Sequence, residues 1–329
     1  MATGIVLGPY VLNLIDSSIL NISSELRKIA LIIILTRAGL GLDITGLKKI
    51  GRPAILMCFL PASFELLGII LIAPKALGMS VLEAAIMGAV LAAVSPAVVV
   101  PRMVKLMDNG YGTAKGIPQL ILVGASVDDV YVIVLFSTFT GMMQGKGASI
   151  INFVNIPVSI ILGMGIGILA GYLLAMYFEK IHIRDTVKVL LILSISFILV
   201  ATEDMLNTPI KFSALIAIMF VGATVNINYL GNMGIKALIV IFGALIFRMA
   251  GVFVCLIKTE LNKKERLFTM MAYTPKATVQ AAIVGIPLAL NFACGETVLT
   301  IAVLAIVITA PLGAFAMDLS YKKLLRRNE

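Results

Sequence analysis

Charged residues are scarce in this sequence, at 13% of its 329 residues, whereas a soluble domain carries about 25%. That shortage excludes an ordinary soluble domain. Hydrophobic residues make up 60% of the chain and recur in runs of roughly 20 residues, which can span a bilayer as helices. The sequence therefore predicts an all-α polytopic membrane protein with a single transmembrane domain over residues 1–329.

Histidine and cysteine are also rare, with one and three residues. Cys58, Cys255 and Cys294 lie in separate apolar segments without a C-x-x-C spacing, which is typical of small core residues rather than of metal ligands or disulfides. His182 lies in the charged stretch EKIHIRD, which indicates a solvated loop. The pattern does not favour a transition-metal site, and we expect no cofactor.

The apolar segments number about eleven, and short loops connect them. They lie near residues 2–15, 29–42, 52–73, 80–100, 116–141, 153–178, 187–202, 210–230, 235–257, 267–290 and 297–317. The net charge of +9 resides mostly in the loops, which is typical of cytoplasmic loops and not of a nucleic-acid site. Alternation of Lys-rich and Lys-poor loops predicts that the cytoplasmic ones are 43–52, 101–115 and 179–188.

This alternation breaks near the end of the chain. With one crossing at 210–230 and one at 235–257, the basic loop 258–266 and the basic tail after Tyr321 would both lie outside. One further crossing between residues 200 and 235 would place both inside. A segment of about 21 residues is too short to cross twice, so we favour a missing helix over a re-entrant hairpin.

Two adjacent acids, Asp128 and Asp129, lie in the middle of the segment 116–141, which has no other charge. Each acid costs about 2.5–3.5 kcal/mol on insertion scales, and such acids typically bind cations or carry protons inside a bundle. Successive helix residues diverge by about 100°, so the two acids can line two walls of one cavity. Ion transport is therefore the first hypothesis, with a proton or a hard cation such as Na⁺ bound at these acids.

Four further charged residues lie well inside apolar segments: Arg37, Glu65, Arg248 and Lys276. Structural ion pairing is the alternative explanation for the whole set, since an unpaired charge in hydrocarbon is strongly penalised. Pairing does not explain why two acids are adjacent.

Two segments combine prolines with polar groups, SPAVVVP (95–101) and TPKATVQ (274–280). Their prolines Pro96, Pro101 and Pro275 remove backbone donors and break helices. Interrupted helices at membrane depth are tolerated only beside a cavity or inside protein. Two of them in corresponding halves are typical of secondary transporters built from inverted repeats.

An oxygen cage is the predicted ion site. Ser95, Thr278 and carbonyls freed by the interruptions could complete it around Asp128 and Asp129. Burial disfavours the charged form of a carboxylate and nearby cations favour it, so the same oxygen can hold a proton or a hard cation. Competition between the two produces exchange when the site faces one side at a time.

Several motifs over essentially the whole chain resemble those of the NHA-type sodium/proton antiporters, within the monovalent cation/proton antiporter 2 family. The motifs are IIILTRAGLGLD (32–43), GAVLAAVSPAVVVPRM (88–103), GYGTAKGIP (110–118), SVDDV (126–130) and PKATVQAA (275–282). The resemblance implies a mobile six-helix core that moves against a dimerisation domain, usually in a homodimer. It also implies Na⁺ or Li⁺ exchange for H⁺ in the plasma membrane, with a role in pH homeostasis.

The resemblance assigns roles to individual residues. Asp128 and Asp129 match the paired acids of the ion-binding helix, and Asp129 matches the carboxylate shared across the wider superfamily. Lys276 lies in the second of two crossing interrupted helices. Glu65 and Arg248 match positions that pair near the ion site, so all three are expected to compensate charge.

The chain departs from the family pattern in two places. The first helix is short or missing at Met1, and FSALIAIM (212–219) is joined almost directly to VGATVNI (221–227), where the family has a further loop and helix. These departures predict an internal deletion near 219–221 and impaired transport.

Other functions remain open at this point. A K⁺/H⁺ exchanger or a Na⁺-coupled symporter would use the same oxygen ligands, and a transport-defective membrane scaffold would follow from the deletion. An intramembrane aspartyl protease needs acids from two different helices, which adjacent acids do not supply. We therefore expect a transporter and not an enzyme.

Overall fold

The computed structural model describes residues 51–145 and 227–327, together with scattered residues within 7–22 and 173–198. In the two continuous ranges the chain forms α-helices and no strand beyond one isolated bridge between Tyr111 and Arg327. The helices are α1 (Arg52–Met57), α2 (Leu60–Leu77), α3 (Val81–Leu91), α4 (Pro96–Asp108), α5 (Ile117–Met143), α6 (Ile227–Cys255), α7 (Lys263–Ala272), α8 (Thr278–Ile283), α9 (Gly285–Ala289) and α10 (Gly295–Leu324).

Local signals in the sequence set several helix ends. Helix α3 begins after Ser80, whose hydroxyl accepts the Glu83 N–H at 3.3 Å while the Glu83 carboxylate accepts the Ser80 N–H at 2.8 Å. Asn262 and Glu265 form the same reciprocal cap before α7. Gly78 ends α2 with φ 70°, a conformation that glycine adopts at little cost.

The helices form two sets with the same order: a long helix, an interrupted helix and a second long helix. The first set is α1–α2, α3–α4 and α5, and the second is α6, α7–α9 and α10. Helices α2 and α6 pack side by side and antiparallel, with Gly68 against Phe247 and Gly251 against Pro61. Because the first helices of the two sets run in opposite directions, the sets are inverted repeats, as the predicted fold class requires.

Basic loops from both sets lie at one end of the bundle. The ammonium of Lys115 donates to the Glu260 carbonyl at 2.9 Å, and the Gly112 N–H donates to the Arg326 carbonyl at 2.8 Å. The loop 258–266 and the C-terminal tail therefore lie on the same side as the loop that follows α4. The charge pattern of the sequence predicts that this end is the cytoplasmic side.

The remaining ends of α5 and α6 follow from this arrangement. Helix α5 leaves the basic end at Ile117 and α6 reaches it at Cys255, so Met143 and Ile227 both lie towards the opposite end. The chain thus leaves the described bundle at Met143 and re-enters it at Ile227 on the same side, which requires an even number of crossings between these residues. The sequence predicts an odd number. The predicted deletion near 219–221 lies outside the described residues.

Five helical stretches within the described ranges are long and apolar enough to cross a membrane: Arg52–Leu77, Val81–Asp108, Ile117–Met143, Gly234–Cys255 and Gly295–Leu324. The interrupted helix α7–α9, with its shorter apolar part Thr278–Ala289, makes a further pass. These passes correspond to the predicted segments that begin near 52, 80, 116, 235, 267 and 297. The other predicted segments lie wholly or mostly outside the described residues, as do Arg37 and His182, so the number of spans stays a prediction.

Two large apolar clusters fill the described bundle, one towards each end. On α5 the boundary between the clusters falls between Ala125 and Val132, and on α6 it falls between Leu245 and Val252. The buried charges of both helices lie within these gaps. The fold therefore places a polar layer near the middle of the membrane-spanning region, between two apolar layers.

Candidate functional site

Two helix interruptions meet in the polar layer. Residues 92–95 separate α3 from α4, and residues 273–277 separate α7 from α8. The interruptions are in direct contact, because the Ser95 N–H donates to the Pro275 carbonyl at 2.9 Å. Both lie inside protein, the environment in which non-helical backbone is tolerated at membrane depth.

The prolines have different positions relative to the interruptions. Pro96 opens α4 at the first helical position, where a missing N–H costs no helical hydrogen bond, and Pro275 lies in the second interruption. Pro101 lies inside α4, and the helix continues through it to Asp108. Contrary to the prediction, Pro101 does not interrupt the helix, because only one backbone donor is lost there and the flanking turns continue.

Arg248 of α6 is fully buried where the interruptions meet. Its Nε donates to the Tyr273 carbonyl at 2.6 Å, and its Nη1 donates to the Ala92 carbonyl. The guanidinium thus satisfies one freed carbonyl from each interruption. The sequence predicts that carbonyls freed by the interruptions complete an oxygen cage. These two carbonyls instead accept hydrogen bonds from Arg248.

Arg248 and Lys276 join two of the three acids of the polar layer in one ion-pair network. Arg248 lies 2.8 Å from Glu65 and 2.7 Å from Asp128, and Lys276 lies 2.5 Å from Glu65. The Asp128 carboxylate also accepts the Val94 N–H of the first interruption at 3.0 Å. Two cations face two anions here, so the formal charges balance.

Asp129 stands outside this balance. It is 2% exposed, and within the described ranges no Lys or Arg lies within ion-pair distance of its carboxylate. A buried carboxylate without a partner is strongly unfavourable in its charged form. Among the described residues no cation neutralises its formal charge, and a proton or a bound cation would do so.

Several buried oxygens of the described residues have no hydrogen-bond partner. Ser95 Oγ, Thr278 Oγ1, Asp128 Oδ1 and Asp129 Oδ1 are buried without a hydrogen-bond partner in the described part of the chain. These atoms belong to the four residues that the sequence predicts as ion and proton ligands. Their hard oxygens suit an alkali cation, and no group of three His, Cys, Asp or Glu side chains within the described residues could hold a transition metal.

Sequence reasoning missed two side chains of this site. The Gln280 amide donates to the Ala93 carbonyl at 2.6 Å and accepts the Ala277 N–H at 2.9 Å. Thr309 of α10 accepts the Lys276 N–H at 2.9 Å. Gln280 is the last residue of the motif TPKATVQ (274–280), and that position is the signal that could have found it, whereas Thr309 lies within the apolar segment 297–317.

Comparison with known proteins gives consistent results. The family described as sodium/hydrogen exchanger, transmembrane, matches residues 1–235. Sodium/hydrogen exchanger 9B2 of Homo sapiens is 32% identical over 93% of this chain, and sodium/hydrogen exchanger 9B1 of Homo sapiens is 31% identical over the same share. The chain spans 65% of the length of the first relative and 67% of that of the second.

A solved structure shows the same fold. The sodium proton antiporter MjNhaP1 from Methanocaldococcus jannaschii at pH 8 superposes with a TM-score of 0.80 at 20% sequence identity, covering 98% of this chain and 91% of that one. The all-helical architecture of the described ranges agrees with this likeness, and the comparisons together support the predicted resemblance to NHA-type antiporters. The chain belongs to the transmembrane sodium/hydrogen exchanger family.

Proposed function

We propose that the protein exchanges Na⁺ or Li⁺ for H⁺ by alternating access, with Asp129 binding the cation and the proton in turn. The observation that carries this proposal is the formal charge of the site. Glu65 and Asp128 are neutralised by Arg248 and Lys276, whereas Asp129 is buried and has no cationic partner within the described ranges. One exchangeable charge is therefore left for a proton or a cation.

The neighbouring oxygens support cation binding at this acid. Asp128 uses Oδ2 for Arg248 and Val94, which leaves its buried Oδ1 without a donor. The hydroxyl oxygens of Ser95 and Thr278 are also unpartnered, and they come from the two crossing interruptions. Such a set of oxygens from three helices can replace part of the hydration shell of a small cation.

The same charge balance supports one proton per cation. Lys276 and Arg248 each have a carboxylate partner within 2.8 Å, so both can stay charged throughout the cycle. Only Asp129 then changes its protonation state, and exchange carries no net charge. A vesicle assay in which a K⁺ diffusion potential leaves the Na⁺/H⁺ exchange rate unchanged would agree, and a potential-dependent rate would show that a second group exchanges its proton.

The cellular setting is also a proposal. The relatives are named sodium/hydrogen exchangers, and this chain matches only part of their length. We propose a multi-pass protein of the plasma membrane that contributes to pH homeostasis as a homodimer. The described helices would form the mobile six-helix core.

K⁺/H⁺ exchange is the alternative within transport. Carboxylate and hydroxyl oxygens accept Na⁺, Li⁺ and K⁺ alike, and the cation that fits best depends on cavity size and ligand flexibility. Replacing Na⁺ by Li⁺ or K⁺ in the same vesicle assay identifies the preferred ion.

An internal deletion near 219–221, with impaired transport, remains part of the proposal. Two observations support it. First, Met143 and Ile227 lie towards the same end of the bundle, which requires an even number of crossings between them, whereas the sequence predicts an odd number. Second, the match to the human 9B2 relative runs over 353 aligned positions. That number exceeds the 329 residues of this chain, so the alignment opens gaps in this chain. A non-transporting scaffold is the extreme form of this alternative.

The test is Na⁺-dependent dissipation of a pH gradient in vesicles. We expect Asp129→Asn to abolish exchange, because an amide can neither release a proton nor neutralise Na⁺. Asp108→Asn, an exposed acid at the end of α4, is the matched control and should behave as the unaltered chain. Exchange that persists in the Asp129 variant would refute this site.

Absence of exchange in the unaltered chain would favour the scaffold. A second readout then decides whether the ion site is still present. If Na⁺ raises the unfolding temperature of the unaltered chain but not that of Asp129→Asn, the site binds cation and the deletion has removed only transport.

A further inference from the structure

Gln280 connects the two helix interruptions through one buried side chain. The residue is fully buried on α8. Its Nε2 donates to the Ala93 carbonyl at 2.6 Å and lies 3.4 Å from the Leu91 carbonyl, both in the first broken helix. Its Oε1 accepts the Ala277 N–H, in the second interruption, at 2.9 Å. Both donors and the acceptor of the amide are therefore used to hold backbone.

The backbone that Gln280 holds also carries the two unpartnered hydroxyls. Ser95 follows Ala93 by two residues, and Thr278 precedes Gln280 by two residues on the first turn of α8. Each hydroxyl lies on a different interrupted helix, so their separation depends on how the two helices are joined.

Apolar packing also joins the two helices, with Val98 against Ala277 and Ala281, but few other hydrogen bonds fix this separation. Among the described residues, the Ser95 N–H donates to the Pro275 carbonyl, and Arg248 donates to one carbonyl from each interruption. Arg248 also belongs to the ion-pair network, and Pro275 contributes only backbone. Gln280 is a neutral side chain whose hydrogen bonds join the interruptions without taking part in charge compensation.

We infer that Gln280 is the positioning residue that sets cation selectivity, by fixing the separation of the Ser95 and Thr278 hydroxyls. This inference rests on the proposed cation site and specifies how that site distinguishes ions. Alkali cations carry the same charge and differ in size, so a site selects among them by cavity dimensions and by ligand rigidity. Loosening the junction is expected to change the relative affinity for Li⁺, Na⁺ and K⁺ more than the ability to carry a proton.

Two variants test the inference in the full chain. Gln280→Met keeps the length of the side chain but removes every hydrogen bond, and Gln280→Asn keeps the amide with a shorter reach. Gln119→Met is the matched control, because Gln119 is a partly buried glutamine on α5 whose Oε1 has no partner within the described residues. The measurement is the ratio of half-saturating Li⁺ and Na⁺ concentrations for dissipation of a pH gradient.

We expect both Gln280 variants to change this ratio by about fivefold, which is the effect of losing a typical hydrogen bond on one ion and not on the other. The control should keep the ratio of the unaltered chain. Lower rates with an unchanged ratio in both Gln280 variants would show a structural role alone and overturn the inference, while leaving Na⁺/H⁺ exchange intact.

If the unaltered chain does not transport, the same ratio can be obtained from cation binding. The Li⁺ and Na⁺ concentrations that give half-maximal thermal stabilisation of the detergent-solubilised protein provide the same ratio without exchange. A ratio equal in the unaltered chain and the Gln280 variants overturns the inference. Absence of stabilisation by every alkali cation in the unaltered chain overturns both the inference and the proposed cation site.

Discussion

Arg248 Nη2 and Asp128 Oδ2 lie 2.7 Å apart, and both side chains are fully buried. The same guanidinium contacts Glu65 at 2.8 Å and the carbonyls of both helix interruptions. One side chain of α6 therefore neutralises acids from α2 and α5 and joins the two broken helices. Such a residue is held on several sides at once, and its loss leaves several buried groups unpaired.

Replacement of this arginine should be severely destabilising. We expect Arg248→Met to cost about 3–5 kcal/mol, because two buried carboxylates lose their shared cation. Arg102→Met is the control: its pair with Asp318 spans 3.0 Å, but the side chains are 27% and 49% exposed, so it should cost about 1 kcal/mol or less. Thermal unfolding in detergent measures both, and equal small shifts would contradict the central role of Arg248.

Glu65→Gln should change the pH dependence of exchange without abolishing it. The variant leaves Lys276 without its carboxylate at 2.5 Å, so the site gains net positive charge, which favours the anionic form of a nearby acid. The rate profile should therefore move towards lower pH. Initial rates between pH 5.5 and 8.5 (about half-unit steps) provide the test. Glu83→Gln, which alters only the cap of α3, should leave the profile unchanged, and a complete loss of exchange in Glu65→Gln would assign this acid to ion binding.

Close packing of α2 and α6 should depend on Gly251. A Cβ at this position would lie 2.9 Å from the Pro61 Cα and 3.0 Å from the Phe64 Cβ, and backbone cannot move aside as a flexible side chain can. We expect Gly251→Ala to destabilise the protein by about 1–3 kcal/mol.

Gly141→Ala is the matched control for this prediction. A Cβ there meets no atom within 4 Å, so alanine should stabilise α5 by about 0.5–1 kcal/mol. Unfolding temperatures of the two variants should therefore shift in opposite directions, and a neutral Gly251→Ala would contradict the tight helix contact.

Sidedness can be measured with single cysteines in a chain whose three native cysteines are replaced by alanine. Lys105→Cys and Lys264→Cys should react with an impermeant maleimide from one side of the membrane, and Gln144→Cys should react from the other. The reason is that α5 separates Gln144 from the end where Lys115 contacts Glu260. Labelling of Lys264→Cys and Lys105→Cys from opposite sides would contradict the inverted arrangement of the two repeats.

Much of the fold could be predicted because its signals are local. The six passes of the described ranges coincide with apolar segments, since a bilayer demands about 20 apolar residues in a row. The interruptions coincide with the motifs around Pro96 and Pro275. The predicted interruption at Pro101 is wrong because its signal is not sufficient. A proline shows that one hydrogen bond is absent, but only the surrounding structure decides whether the helix ends there.

The sequence singles out several residues that the structure buries in the polar layer, but it does not give the contacts between them. Asp128, Asp129 and Lys276 are conspicuous because a charge in an apolar segment needs a reason. Gln280 is not conspicuous, since a neutral amide carries a smaller penalty and its partners lie about 190 residues away in the first repeat.

The sequence by itself determined that this chain crosses a membrane as helices, that Glu65, Asp128 and Asp129 lie in its apolar segments, and that two helices are interrupted. These properties depend on hydrophobicity and backbone chemistry over short stretches. Only the tertiary structure decided that Arg248 and Lys276 neutralise Glu65 and Asp128 while Asp129 has no cationic partner in the described ranges. Ion pairing depends on distances of a few ångström between helices that are far apart in the chain, and helix packing sets those distances.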